Sequence, residues 1–196
     1  WLSRHGRVRV DLVLPERSGL RAEVGSADVR TEGRLADVSV HSGSGDITVC
    51  DSASLAVESG SGDVRADRVA GTLRVKTGSG DVLAGSVGGD ANVQVASGDV
   101  HIGDVAGRVR ATSASGDIAL DTVHAGEVRV RSASGDVRIG VPAGTGVWLD
   151  LNTVSGSTST DLAMTGSPPS GGASLALRVH TVSGDIAVHR TTAAAA

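Results

Sequence analysis

The chain reads as an all-β protein, a single-domain parallel β-solenoid (β-helix), on three observations. First, Ser-Gly-Asp returns about every eighteen residues, each time followed by Val or Ile. The acids are Asp46, Asp63, Asp81, Asp99, Asp117 and Asp136, preceded by Asp28 in a variant Ser-Ala-Asp, and the steps are 18, 17, 18, 18, 18 and 19. A later copy ends at Asp185, and Ser155-Gly156-Ser157 looks like a copy that lost its acid. Second, the residues after each Asp alternate with the period of a strand. Third, Gly supplies 28 of the 196 residues, whereas Phe and Tyr are absent and Trp occurs twice. That composition suits a thin Val/Ile/Leu/Ala interior with a turn at fixed intervals. A period this short and strict means one small unit stacked on itself.

With Asp as position 0, position +1 is Val29, Ile47, Val64, Val82, Val100, Ile118, Val137 and Ile186, β-branched throughout. Position +3 is Thr31, Val49, Ala66, Ala84, Ile102, Leu120, Ile139 and Val188, while +2 is mostly polar or small. Positions +1 and +3 therefore point inward and +2 outward. A second strand follows in each repeat, carried by Leu55 and Val57, Leu73 and Val75, Ala91 and Val93, Val109 and Ala111, and Val128 and Val130. Between the strands stands a lone Val69, Val87, Val105 or Val123, closely followed by Gly71, Gly88, Gly107 or Gly126, which marks a second corner. Two short strands cannot bury their apolar faces alone. Stacked coil on coil they can, each pairing with its equivalent one coil away. The expectation is eight or nine right-handed coils in a rod about 40 Å long.

At the start, Val8, Val10, Leu12 and Leu14 alternate before Pro15, and Leu20, Ala22 and Val24 follow, which reads as a first coil. At the other end Val147-Trp148-Leu149-Asp150-Leu151 reads as a strand, residues 161–172 (with Pro168-Pro169 and Gly171-Gly172) as an inserted exposed loop, and Ile186 and Val188 as the last strand. The solenoid is expected over 1–190, with 191–196 a disordered Ala-rich tail. The chain begins at Trp1 rather than Met, which reads as a piece of a longer or processed protein.

The net charge of −4 is too mild to argue for nucleic acid or an anionic membrane, and no stretch approaches a membrane span. Cys50 is alone and the six histidines show no ligand spacing, so neither an internal disulfide nor a metal or other cofactor is expected. The copies of Gly-Ser-Gly belong to the repeat turn and lack the strand-to-helix setting of a nucleophile elbow.

The Ser-Gly-Asp-Val columns, the segment Gly-Thr-Gly-Val-Trp-Leu-Asp-Leu at 144–151 and the closing Ser-Gly-Asp-Ile-Ala-Val at 183–188 resemble a bacterial family of β-strand-repeat domains of unknown function catalogued as adhesins. The resemblance covers nearly the whole chain. It implies a β-solenoid, adhesion, and for some members a link to cell-envelope stress in Gram-positive bacteria. It supplies no catalytic or binding residues.

Two outward columns are the candidate sites. Asp46, Asp63, Asp81, Asp99, Asp117 and Asp136 would stack one coil apart. Carboxylates at that spacing repel by roughly 0.9 kcal/mol in water, so either the turn backbone or a row of bound cations must offset them. The turn is the simpler reading, because Asx-type corners use carboxylate oxygens as acceptors. Arg74, Arg110 and Arg129, with Lys76 and Arg131 beside them, would lie on one sheet as a solvated face or a site for an anionic polymer.

The functional expectation is a non-enzymatic binding or scaffold module of the adhesin type, presenting a rigid repetitive surface to a protein or anionic polymer. It would be a monomer or weakly self-associating, and sit at the cell surface or in the cytoplasm. The alternatives are a polymer-forming solenoid of the bactofilin kind, a cation-binding repeat protein, and, least favoured, a carbohydrate-active enzyme.

Overall fold

Positions that alternate between apolar and polar along the chain become the two sides of two continuous walls. The computed structural model describes residues 10–162 and 174–191. The strands are β1 (Leu20–Ser26), β2 (Val29–Ser44), β3 (Ile47–Ser61), β4 (Val64–Val69), β5 (Leu73–Ser79), β6 (Val82–Val87), β7 (Ala91–Ser97) and β8 (Val100–Val105). They continue as β9 (Val109–Ser115), β10 (Ile118–Val123), β11 (Gly126–Ser134), β12 (Val137–Pro142), β13 (Gly146–Ser155), β14 (Thr158–Thr160), β15 (Ser174–Ser183) and β16 (Ile186–Thr191). All pairings are parallel, so that Val64 lies beside Val82, Val82 beside Val100 and Val100 beside Ile118.

The result is a parallel β-solenoid of about seven turns with roughly 18 residues per turn. One wall holds β4, β6, β8, β10, β12, β16 and β14; the other holds β5, β7, β9, β11, β15 and β13; β2 and β3 bend through the second corner and serve both. The interior is a single cluster of Val, Ile, Leu and Ala, with Ile47, Ile102, Ile118, Ile139 and Leu177 fully buried. Val69, Val87, Val105 and Val123 are buried as well. They sit at an odd separation from the inward positions before them, so the strand bends ahead of them to turn them inside.

Two sequence expectations change. The alternation over 10–14 makes no strand, and Val10, Leu12, Val13 and Leu14 are exposed; Val8 lies outside the described residues. Arg17, at φ 62°, donates its N–H to Arg34 O at 2.9 Å. This segment lacks a Ser-Gly-Asp corner to fix its height on the rod, so only the second half of the expected first coil, Leu20, Ala22 and Val24, forms a strand, as β1; the turn count is about seven rather than eight or nine.

The second change is in stacking order. After β12 the chain skips one layer: β13 and β14 form the outermost layer, and β15 and β16 return to fill the gap beneath it. Ile186 and Val188 are last in sequence but not last in space. The inward residues explain the choice. Leu175, Leu177, Val179, Ile186 and Val188 are buried on both sides, whereas the outer layer offers polar Thr158 and Thr160 opposite Ile186 and Val188. Arg190 pins the jump, donating from Nη1 to Pro142 O at 2.7 Å and Thr145 O at 3.1 Å, while its backbone N–H donates to Asp161 Oδ1 at 2.8 Å. Most of the expected 161–172 loop and of the Ala-rich tail lies outside the described residues.

Candidate functional site

The repeat motif is a corner with two separable jobs. Its glycines have positive φ, from 112° at Gly62 to 148° at Gly156, a region that L side chains rarely adopt. They also lie so close to the coil below that a Cβ on Gly98 would stand 2.3 Å from Gly80 O. The Asp that follows faces the coil above. Oδ1 of Asp46, Asp63, Asp81, Asp99 and Asp117 each accepts the backbone N–H of the next corner's Asp at 2.8 to 3.0 Å. Asp136 Oδ1 accepts from Asp185 N–H and Asp185 Oδ1 from Ser157 N–H, following the order in space rather than in sequence.

The column is therefore a directional ladder of charge-assisted hydrogen bonds, which offsets the repulsion between stacked carboxylates. Some second oxygens pair locally, as Asp63 Oδ2 with Arg65 at 2.9 Å and Asp136 Oδ2 with Arg138 at 3.4 Å. Among the described residues no group of three or more His, Cys, Asp or Glu side chains is arranged to hold a metal ion.

The arginines occupy the other wall. Strand pairing places Arg74, Asn92, Arg110, Arg129 and Arg178 on successive rungs of one outward row, ending at Asp150. Arg131 lies in the next row, between Thr112 and His180. Glu127 bonds both Arg129, at 2.8 Å, and Arg178. The Arg178 guanidinium lies over the Trp148 ring, 5.2 Å from its centroid. Trp148 is 54% exposed. Arg178, Glu127 and Trp148 lie outside the columns that the sequence predicts as sites: Arg178 joins the row only because β15 inserts beside β11.

Three features escape a linear reading. His101 pairs with Asp121 at 2.8 Å and His124 with Asp104 at 2.7 Å, across adjacent coils and twenty residues apart. His41 pairs with Glu58 at 3.3 Å. Beside each corner runs a buried polar column in which Ser42, Ser59, Thr77, Ser132 and Thr181 donate their hydroxyls to the carbonyl two residues on, at 3.0 to 3.2 Å. Its sequence signal is a Ser or Thr two residues before the Ser of the motif, replaced by Val24 and Val95 in two copies, while the buried Ser113 hydroxyl in the same column has no hydrogen-bond partner. Cys50 is half-buried, and burial followed by the neighbouring Asp67 charge pushes its thiol pKa up, away from reactivity.

The family model of Toastrack DUF4097 matches residues 10–191. The chain belongs to this family. No curated protein and no solved structure matches it. The Toastrack match covers the entire described solenoid, from the exposed segment at Val10 to the end of β16. It fixes the domain as one of unknown function, in line with the β-strand-repeat resemblance, and says nothing of adhesion.

Proposed function

We propose that this Toastrack domain is a non-enzymatic binding module that presents its flat, register-locked wall to an extended partner, in an adhesive or envelope-stress role. The observation that supports it is the row register. Outward side chains of β5, β7, β9, β11, β15 and β13 repeat at one coil spacing, roughly 4.8 Å, with no loop interrupting the wall among the described residues. Such a surface engages a partner by many equivalent weak contacts, whose sum sets affinity.

The test is a binding array of proteins and envelope polymers probed with the domain and with two sets of charge-reversal variants, one on each wall. Ligands lost only on changing the Arg-bearing wall support the reading. Ligands lost only through the opposite wall displace it, and turnover of any bound polymer ends the non-enzymatic part. Fractionation of the native protein between cytosol, membrane and surface decides the envelope role.

A further inference from the structure

Resting on that module reading, we infer that the wall formed by β9, β11, β15 and β13 is a binding site for an acidic polysaccharide lying along the rod axis. Arg110, Arg129 and Arg178 stand on consecutive rungs, so three guanidinium groups repeat along about 10 Å. Stacked like charges at that spacing repel. Glu127 holds Arg129 and Arg178 in fixed positions and neutralises one of them. Arg110, and Arg131 in the adjoining row, make no ion pair among the described residues. Asp150 stands on the rung beyond Arg178, so four arginines face two acids, Glu127 and Asp150, and the wall keeps a positive excess in a chain of net charge −4, with guanidinium forks that suit carboxylate or sulfate groups.

Trp148 gives the ligand its second property. It is the one Phe, Tyr or Trp among the described residues, and the residue stays 54% exposed with Arg178 over its ring. A flat apolar ring with a polar edge, in the row beside the arginines and level with Ala176, matches the apolar face of a pyranose whose neighbours carry anions. A single ring is no platform for successive bases, which single-stranded nucleic acid requires. The site has no pocket walls, so the occupant is an extended polymer.

The test uses the whole domain carrying Trp1→Phe, which leaves Trp148 as the one tryptophan. Titration with polygalacturonate or heparin should shift its emission and saturate, with binding weakened as salt rises; dextran should not bind. Arg110→Ala with Arg131→Ala, and separately Trp148→Ala followed by calorimetry, should each weaken binding about tenfold or more with unchanged melting temperature. Arg68→Ala, on the opposite wall, should leave it within about twofold. Equal loss with Arg68→Ala would mean diffuse attraction and overturn the site. Binding of polyphosphate or single-stranded DNA as tight as that of the polysaccharides, and indifferent to Trp148→Ala, would overturn the ligand class. Absence of polysaccharide binding would overturn the proposal, while an array ligand lost through the same wall would leave the module reading standing. No wall-dependent ligand at all would remove both.

Discussion

Gly98→Ala and Gly78→Ala add the same methyl group to adjacent coils in the middle of the rod, yet they should differ several-fold in cost. At both positions the new Cβ meets a carbonyl of the coil below, 2.3 Å from Gly80 O for Gly98 and 2.6 Å from Gly60 O for Gly78. Only Gly98 has φ in the left-handed region, at 133°. In the column of Gly78 the next layer already carries Ala96, so that part of the wall accepts a methyl by a small shift. At Gly98 the obstacle is the Gly80 carbonyl and the Asp81 carboxylate of the coil below, and relief means parting two coils at the corner. Three hydrogen bonds cross there: Gly80 N–H to Ser97 O at 3.1 Å, Val82 N–H to Asp99 O at 2.8 Å, and Asp99 N–H to Asp81 Oδ1 at 2.9 Å. Weakening them at about 1 kcal/mol each, with about 1–3 kcal/mol for the imposed φ, totals about 4–6 kcal/mol. Gly78→Ala should stay within about 1 kcal/mol of wild type, because reduced unfolded-state entropy works in its favour. Urea unfolding followed by far-UV circular dichroism measures both. Equal costs, or a cost for Gly98→Ala below about 1 kcal/mol, would refute the claim that the corner backbone demands glycine.

The other perturbations address the ladder, the inserted layer and acid stability. Asp99→Ala should cost about 1–2 kcal/mol by removing the acceptor for Asp117 N–H. Asp99→Asn keeps an acceptor and relieves repulsion, so it should cost less, and millimolar calcium should leave the wild-type melting temperature unmoved; a calcium-dependent rise would point to a cation row instead. Arg190→Ala frees the Pro142 and Thr145 carbonyls and should cost about 2 kcal/mol, with amide exchange accelerating in β15 and β16 before the middle coils; uniform acceleration would contradict the pinning role. The Asp185 carboxyl is held below its ordinary pKa by hydrogen bonds from the Ser157 backbone N–H and then the Ser157 hydroxyl. Its stabilising contribution is therefore present above the unfolded-state pKa and lost as pH falls through the lower folded-state pKa. Ser157→Ala should flatten the acid limb of a stability-versus-pH curve, and an unchanged limb would refute this linkage.

Most of the solenoid was legible because each repeat repeats the same physics. The inward columns from Val64 to Ile139 needed only parity and a fixed period. What parity cannot give is height on the rod. The segment around Leu12 alternates as well as any strand but has no corner, and so takes no layer. The inversion of the last two layers was also hidden, although Thr158 and Thr160 in inward positions mark a layer with a wet side. The candidate wall was half visible. Arg110 and Arg129 fall one period apart, whereas Arg178 joins them from a strand about fifty residues on in sequence. Its contacts with Glu127 and Trp148 depend on that insertion.

The two incomplete copies of the motif fall at the two ends of the rod, and each lacks the half that an end does not use. Ala27 replaces glycine in the first layer, where it is exposed, and β1 pairs only with β2; yet Asp28 is kept and accepts Asp46 N–H at 3.0 Å. Ser157 replaces Asp in the outermost layer, where Gly156 still approaches Gly184 O and, among the described residues, no corner above requires an acceptor. Glycine serves the coil below and Asp the coil above. An end-to-end joint would set the Ala27 methyl against the Gly156 carbonyl and offer Asp28 N–H no carboxylate, so both halves of the corner would fail at once. The wild-type domain should therefore remain monomeric in light scattering as its concentration rises, and Ala27→Gly combined with Ser157→Asp should promote association by completing the joint. Filaments of the wild-type chain, or no difference between the two proteins, would show that the corner does not govern how coils meet.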